Sequence, residues 1–239
     1  KEIVSQKVVQ SYLDDQKSED LRVLCEADLN LTDCRVLVLG GGGHAKICID
    51  ILRHMQAGEI VGIVDPEFEV GSIVFDVPVL GGDDRLATLH QEGIKCAANG
   101  LGAINNHPKR QQVYNDLVST GFTLPNLIHF VAAIEASAKF GHGNQIMANA
   151  TVGSAVVVSN NCIINAGAIV SHDSVLKDNV HIAPGAIIGG NVTIGKNTLV
   201  GMGATIYLGV KIGRNVVINN GADVVKDIPD NTVVRRPTG

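Results

Sequence analysis

Taken every sixth residue from Ile134, the chain reads Ile134, Phe140, Ile146, Val152, Val158, Ile164, Val170, Leu176 and Ile182. It continues through Ile188, Ile194, Val200, Ile206, Ile212 and Ile218 to Val224, and all sixteen positions are apolar. In a chain that is 45% hydrophobic, chance would produce this roughly once in several hundred thousand registers, and a fixed short period marks a β-solenoid. A second column two residues earlier, beginning Ala132, Ala138, Asn144, Ala150, Val156 and Cys162, is small or slim, as a crowded corner requires. Gly and Asn recur beside it, the residues that enter left-handed backbone at least cost. A sandwich of short strands is the alternative. Its strands and turns would vary in length, whereas no insertion breaks the sixfold register between 134 and 224.

With no Trp and 3% aromatic residues, the core must be aliphatic. A formal charge of −5 argues against a polyanion as the main partner, so no nucleic acid is expected. No segment reaches the ~18 apolar residues of a membrane span, and the first residues, "KEIVSQKVVQSYLDDQKSED", lack the pattern of a signal peptide. The five cysteines (Cys25, Cys34, Cys48, Cys96, Cys162) are scattered and without CxxC spacing. They predict reduced thiols in a cytoplasmic protein, not a zinc site or a disulfide framework.

In front of the solenoid, "CRVLVLGGGGHAKICIDIL" (34–52) predicts a strand, a glycine turn and a helix with apolar Ile47, Ile49, Ile51 and Leu52. Gly40, Gly42 and Ala45 fit G-x-G-x-x-A, with the helix N-terminus open to a phosphate. "EIVGIVDPE" predicts a second strand ending in Asp65, where an acidic residue can meet a ribose or base. A tight turn that merely packs helix on strand is the competing reading of the glycines. Segments 94–104 and 108–121 predict a later strand and a helix. From 34 to 130 there is room for one mononucleotide-binding half and not for the two that a dinucleotide needs, which favours a nucleotide-linked substrate over hydride transfer. Residues 1–33 predict a helical arm, with Ile3, Val4, Val8, Val9, Tyr12 and Leu13 on one face.

The hexad resembles that of the hexapeptide-repeat transferases. That resemblance implies a left-handed parallel β-helix of 18-residue coils, each with three six-residue faces. The order of parts, "GGGGHAK" and then an unbroken solenoid, resembles a bacterial sugar acyltransferase family. It includes nucleotide-amino-sugar N-acetyltransferases of the bacillosamine and perosamine pathways and sialic acid O-acetyltransferases. The likeness spans about 34–228 and is most specific in "NAGAIVSHDSVLKDNVHIAPGAIIGGNVTIG" (165–195). It implies catalytic-site roles for Asn165, His172, Asp173 and His181, with His172 as general base, acetyl-CoA as co-substrate, no metal, and a homotrimer with active sites between subunits. Many relatives close with Gly-x-Pro-Ala-Lys/Arg, whereas this chain has "VVRRPTG".

On the implied coil, Gly190 falls one turn after His172 and stacks beside it, about 4.8 Å along the axis. A thioester could approach there, and a backbone N–H could meet the oxyanion. Asp173 would orient the imidazole, given a corner conformation that brings the adjacent side chains together. His181 lies half a coil away, across the packed core, and Asn165 falls on the side of His181. The expected site is therefore composite, with His172 from one subunit and Asn165 and His181 from its neighbour. Leu208 and Lys226 continue the His172 column along a path for acyl-CoA. Gly41, Gly42, Gly43, His44 and Asp65 are the expected nucleotide-sugar contacts, together with His181 at the sugar. His54, His90, His107, His129 and His142 carry no catalytic signal.

The expected architecture is thus an arm (1–33), a Rossmann-like α/β domain (34–130), a left-handed β-helix (131–228) and a tail (229–239). The expected activity is acetyl-CoA-dependent N-acetylation of a nucleotide-linked amino sugar. O-acetylation of a free sugar such as sialic acid, and a non-catalytic nucleotide-sugar-binding solenoid, are the alternatives. A γ-carbonic-anhydrase-like metal site would need three histidines that the 172–181 spacing does not supply.

Overall fold

The computed structural model describes residues 34–103 and 107–236. The arm expected over 1–33, with Cys25, lies outside the described residues. The chain divides into two compact units, meeting in sequence at Phe130 and Val131.

In the first unit, strands β1 (Arg35–Leu39), β2 (Glu59–Val64), β3 (Ile73–Val74), β4 (Val77–Gly81) and β5 (Cys96–Asn99) form a sheet ordered β3-β4-β2-β1-β5. All its pairings are parallel except β3 with β4. Helix α1 (Gly43–His54) joins β1 to β2, α2 (Leu86–Gln91) lies between β4 and β5, and α3 (His107–Thr120) follows β5. β1 is buried on both faces and reads as a continuous aliphatic run, as a central parallel strand must. In α1 the residues turned inward are Ala45, Cys48, Ile49, Ile51 and Leu52. Ile47, expected among them, is 43% exposed because it falls on the opposite side of the helical repeat. The connection from β1 leads to β2 on one side, and β5 returns to the other. That reversal opens a crevice beyond the carboxyl ends of β1 and β5.

The second unit is a left-handed parallel β-helix with two-residue strands on three faces. Face one carries Thr151–Val152, Ile169–Val170 and Ile187–Ile188 in register, face two Val157–Val158, Val175–Leu176 and Thr193–Ile194, and face three Ile163–Ile164, His181–Ile182 and Leu199–Val200. Each pairing joins residues 18 apart, the repeat that the resemblance to the hexapeptide-repeat transferases implies. That column is buried from Ile146 to Val224, whereas Ile134 and Phe140 in the first coil are only half-buried. Polar members of the slim column are satisfied across coils. The Asn144 amide, for example, donates to the Ser159 carbonyl (2.8 Å) and accepts the Cys162 N–H (2.9 Å).

The corner between faces two and three is held by an asparagine ladder. Asn161, Asn179, Asn197, Asn215 and Asn231 all have φ between +54° and +60°. Each side-chain amide donates to the next Oδ1 at 2.9–3.2 Å. Asn197→Ala removes two rungs and leaves a Cβ-bearing residue without local compensation in left-handed backbone. It is expected to cost about 1–3 kcal/mol, measurable by urea denaturation.

The solenoid does not end where the sequence placed a tail at 229. Val233–Val234 pairs in parallel with Val217–Ile218, and Ile228 bridges Ile212. Both pairings span 16 residues instead of 18, so the last coil is shortened by two and continues the sheet with a contracted corner.

Candidate active site

His172 and Asp173 occupy the corner between faces one and two. Asp173 has φ +59°, a left-handed turn that breaks strand alternation and swings its carboxylate beside the neighbouring ring. His172 Nδ1 lies 2.8 Å from Asp173 Oδ2. A carboxylate can only accept, so Nδ1 is the donor, and in the neutral imidazole the lone pair is on Nε2. The imidazole is 67% exposed while the carboxylate is 30% exposed, so the base is presented outward and its orienting group is sheltered.

Gly190 sits one coil on. A Cβ built there would lie 2.7 Å from both Cε1 and Nε2 of His172, so the ring occupies the space that any side chain would take. The Asn191 N–H donates to the His172 carbonyl at 2.9 Å. Buried Ser174 donates to the Gly189 carbonyl (3.0 Å) and accepts the Val192 N–H (3.1 Å), which pins the glycine corner to the coil of His172. At equivalent corner positions elsewhere, the amides of His142, Asn160 and Met202 donate to a side-chain oxygen of Asn160, Asp178 and Asn220, one coil on. In the His172 column the residue after Gly190 is Leu208, which has no acceptor. The Gly190 N–H accordingly donates to no protein group among the described residues. Leu208 is 60% exposed, Tyr207 58% and Val225 71%, an apolar strip running from Gly190 toward exposed Lys226.

Asn165 and His181 meet at the other side of the coil. Asn165 Oδ1 accepts the Ala166 N–H at 2.8 Å, which directs Nδ2 toward His181 Nε2 at 3.2 Å. That nitrogen must then be the acceptor, placing the His181 proton on Nδ1. His181 belongs to face three, opposite the corner that bears His172, so the core separates the two histidines within one chain. His181 is 2% exposed and lies behind the half-buried Asn165. In a single chain, the direct substrate contact expected of His181 is closed off.

A second cleft, of about 420 Å³, opens in the first unit beyond β1 and β5. Gly40 (φ +94°) makes the turn out of β1, and Ala45 packs so tightly that a Cβ on Gly100 would lie 2.9 Å from its own. Gly42 caps α1 without a side-chain bond, and no acidic residue lies in the first turn, so the positive end of the helix faces the cleft. Gly42, Gly43 and His44 line it. Gly41 does not, being packed under the Phe68 ring. Its N–H donates to Asp65 Oδ2 at 2.7 Å, and Asp65 Oδ1 accepts the Glu67 N–H at 2.9 Å. Asp65, expected at a ribose or base, thus also ties the glycine loop to the end of β2.

Sequence reasoning missed Glu67, Phe68, Asp83 and Lys109, which line the cleft from the loop after β2, a short 3-10 turn (Asp83–Arg85) and the start of α3. It also missed Arg110, fully buried, whose guanidinium donates to the carbonyls of Asn99 and Leu101. The Asn99 amide answers by donating to the Arg110 carbonyl at 3.0 Å, so the loop after β5 is clamped to α3. A charged residue in a predicted helix gives no sign that it will be buried.

None of the four described cysteines is in a disulfide. Burial pushes the Cys48 thiol up to about 12, and burial together with its contact to Cys34 pushes Cys96 up to about 12. Neither offers a thiolate nucleophile at neutral pH. Among the described residues no three His, Cys, Asp or Glu side chains are grouped to hold a metal ion, and no helix is long and apolar enough to cross a membrane.

A left-handed hexapeptide solenoid with an outward histidine, oriented by a carboxylate and stacked on a bare glycine, defines the class: a hexapeptide-repeat acyltransferase. Residues 35–117 match the PglD N-terminal domain, and residues 173–208 match the bacterial transferase hexapeptide (six repeats). The structure is similar to PerB from Caulobacter crescentus in complex with CoA and GDP-perosamine (33% identity, 83% of this chain and 92% of that chain, TM-score 0.77). It is also similar to the acetyltransferase domain of PglB from Neisseria gonorrhoeae FA1090 in complex with acetyl coenzyme A (33% identity, 83% and 94%, TM-score 0.77). WeeI from Acinetobacter baumannii AYE shares the fold at 22% identity (84% and 97%, TM-score 0.70). Comparison with curated proteins finds no match. The chain belongs to the bacterial sugar acyltransferase family that joins a PglD-type N-terminal domain to a hexapeptide-repeat β-helix.

Proposed function

We propose that this chain transfers the acetyl group of acetyl-CoA to the amine of a nucleotide-linked amino sugar, with His172 as general base. The observation that carries the reading is the stack of His172 on Gly190. Nδ1 is held by Asp173, and Nε2 sits 2.7 Å from where a Cβ would be. The sugar amine attacks the thioester carbonyl carbon as Nε2 takes its proton. The oxyanion meets the Gly190 N–H, and Asp173 stabilises the imidazolium. The tetrahedral intermediate then collapses, the C–S bond breaks, and the departing thiolate recovers the proton from His172. The strip of Tyr207, Leu208 and Val225 suits the pantetheine arm, with Lys226 near the phosphates of CoA. In the first unit, the open start of α1 with Gly42, Gly43 and His44 suits the diphosphate, and Phe68, Glu67 and Asp65 are available to base and ribose.

The same reading makes the working enzyme a cytoplasmic homotrimer with composite sites, His172 from one subunit and the Asn165–His181 pair from the next, acting through Asn165. Exposed Ile169 and Ile187 on the outer side of face one support a neighbour packed there, because apolar side chains in a row favour burial. The test is a panel of GDP- and UDP-linked amino sugars and free sialic acid, scored by CoA release. Release with a nucleotide-linked amine upholds the proposal. Release with the free sugar alone makes the enzyme an O-acetyltransferase, and no release with any acceptor makes it a binding protein. Composite sites predict that co-refolding His172→Ala with Asn165→Ala, each inactive alone, restores turnover, since some mixed trimers contain an intact site. Persistent inactivity of the mixture refutes shared sites.

A further inference from the structure

Ala155 is the one residue in the described solenoid with left-handed backbone that is neither Gly, Asn nor Asp; its φ is +58°. Alanine has no side-chain polar group to offset the crowding of Cβ against its own carbonyl, so it is a poor choice for such a corner. Residues held in this way tend to mark functional sites. Ala155 lies one coil before Asp173, in the same column of the same corner. Its N–H is held by the Ser137 hydroxyl at 2.9 Å, so the turn is supported from below and not by its own side chain.

The neighbouring corner shows what an asparagine would do in that place. There each left-handed Asn, from Asn161 to Asn215, donates its side-chain amide to the Oδ1 of the left-handed residue one coil on. A carboxylate serves equally as acceptor, as Asp178 does for the Asn160 amide at 3.2 Å. An asparagine at 155 would thus be a rung directed at the Asp173 carboxylate. With alanine there, Asp173 receives no ladder bond from below. Its carboxylate turns sideways to His172 Nδ1 instead, at 2.8 Å. The ladder is also silent above, where the Asn191 side chain makes no hydrogen bond among the described residues.

We infer that Ala155 is a positioning residue: the strained alanine interrupts the corner ladder so that the Asp173 carboxylate is reserved for His172. The inference rests on His172 being the base, and it adds that the solenoid gives up local stability one coil away to keep the base oriented.

Three variants test it: Ala155→Asn, Ala155→Gly and His172→Ala. Ala155→Asn relieves the backbone and adds a rung, so its melting temperature should equal or exceed that of the parent. Its kcat with acetyl-CoA and the best acceptor of the sugar panel should fall about tenfold, with both KM values unchanged, since the binding surfaces are untouched. Ala155→Gly relieves the backbone without adding a donor and should keep the parent kcat. A readout independent of any acceptor is the tautomer of His172, from long-range proton–nitrogen correlation of nitrogen-15 histidine, assigned by the signal lost in His172→Ala. The parent and Ala155→Gly should show the Nδ1–H form, and Ala155→Asn a mixture with Nε2–H. Parent-like kcat and tautomer in Ala155→Asn overturn the inference, and so does an equal loss of kcat in Ala155→Gly. Full turnover in His172→Ala overturns the assignment of the base instead, and the tautomer measurement still decides whether Ala155 protects the His–Asp pair.

Discussion

Replacing His172 by alanine is expected to lower turnover by about 10²–10⁴-fold, the usual contribution of a positioned general base, while acetyl-CoA still binds. The side chain is exposed at a corner, and its backbone carbonyl, which accepts the Asn191 N–H, remains in the variant. Thermal stability should therefore stay near the parent value. Loss in kcat with an unchanged KM for acetyl-CoA would show that the group acts in the transition state and not in holding the donor. Near-normal turnover would remove His172 from the chemistry.

Gly190→Ala should be nearly as damaging for a different reason. Gly190 does not have left-handed backbone, so alanine is tolerated by the main chain and the solenoid should fold unchanged. The new methyl group, however, would lie 2.7 Å from His172 Cε1 and Nε2, inside contact distance, and the flexible ring must swing aside. A displacement of about 1 Å in a reacting group can cost on the order of 10²-fold in rate, and the methyl also encroaches on the thioester. The expected result is a kcat reduced about a hundredfold at an unaltered melting temperature. A fully active Gly190→Ala would mean that the stack of ring on glycine is not where the acyl group is transferred.

The two units differ in how far they could be read in advance. The solenoid is local and periodic. Once an apolar residue recurs every six positions, parallel stacking is the arrangement that buries all of them together, and up to the last coil the structure pairs strands 18 residues apart. The same arithmetic put Gly190 beside His172 and Asn165 beside His181. What escaped it was geometry off the repeat: the burial of His181 and the 16-residue last coil. The corner conformation that the role of Asp173 requires was named as a condition, and the left-handed turn there supplies it. In the first unit the glycine turn was legible, but the cleft around it draws on residues far apart in sequence. Phe68 over Gly41, and Arg110 clamping the loop after β5, have no spacing that announces them.

The sequence by itself determined the six-residue beat, and its family resemblance supplied the 18-residue coil and the hand. Together they located the column that holds the base, because a repeat of fixed length converts residue number directly into position. Only the tertiary structure decided the states of the groups in that column. It showed which imidazole nitrogen faces a carboxylate, which backbone N–H is left without a protein acceptor among the described residues, and which alanine is held in a conformation alanine resists. These depend on side-chain direction and hydrogen-bond partners at the corners, where backbone angles depart from the repeat and residue number no longer fixes where an atom points.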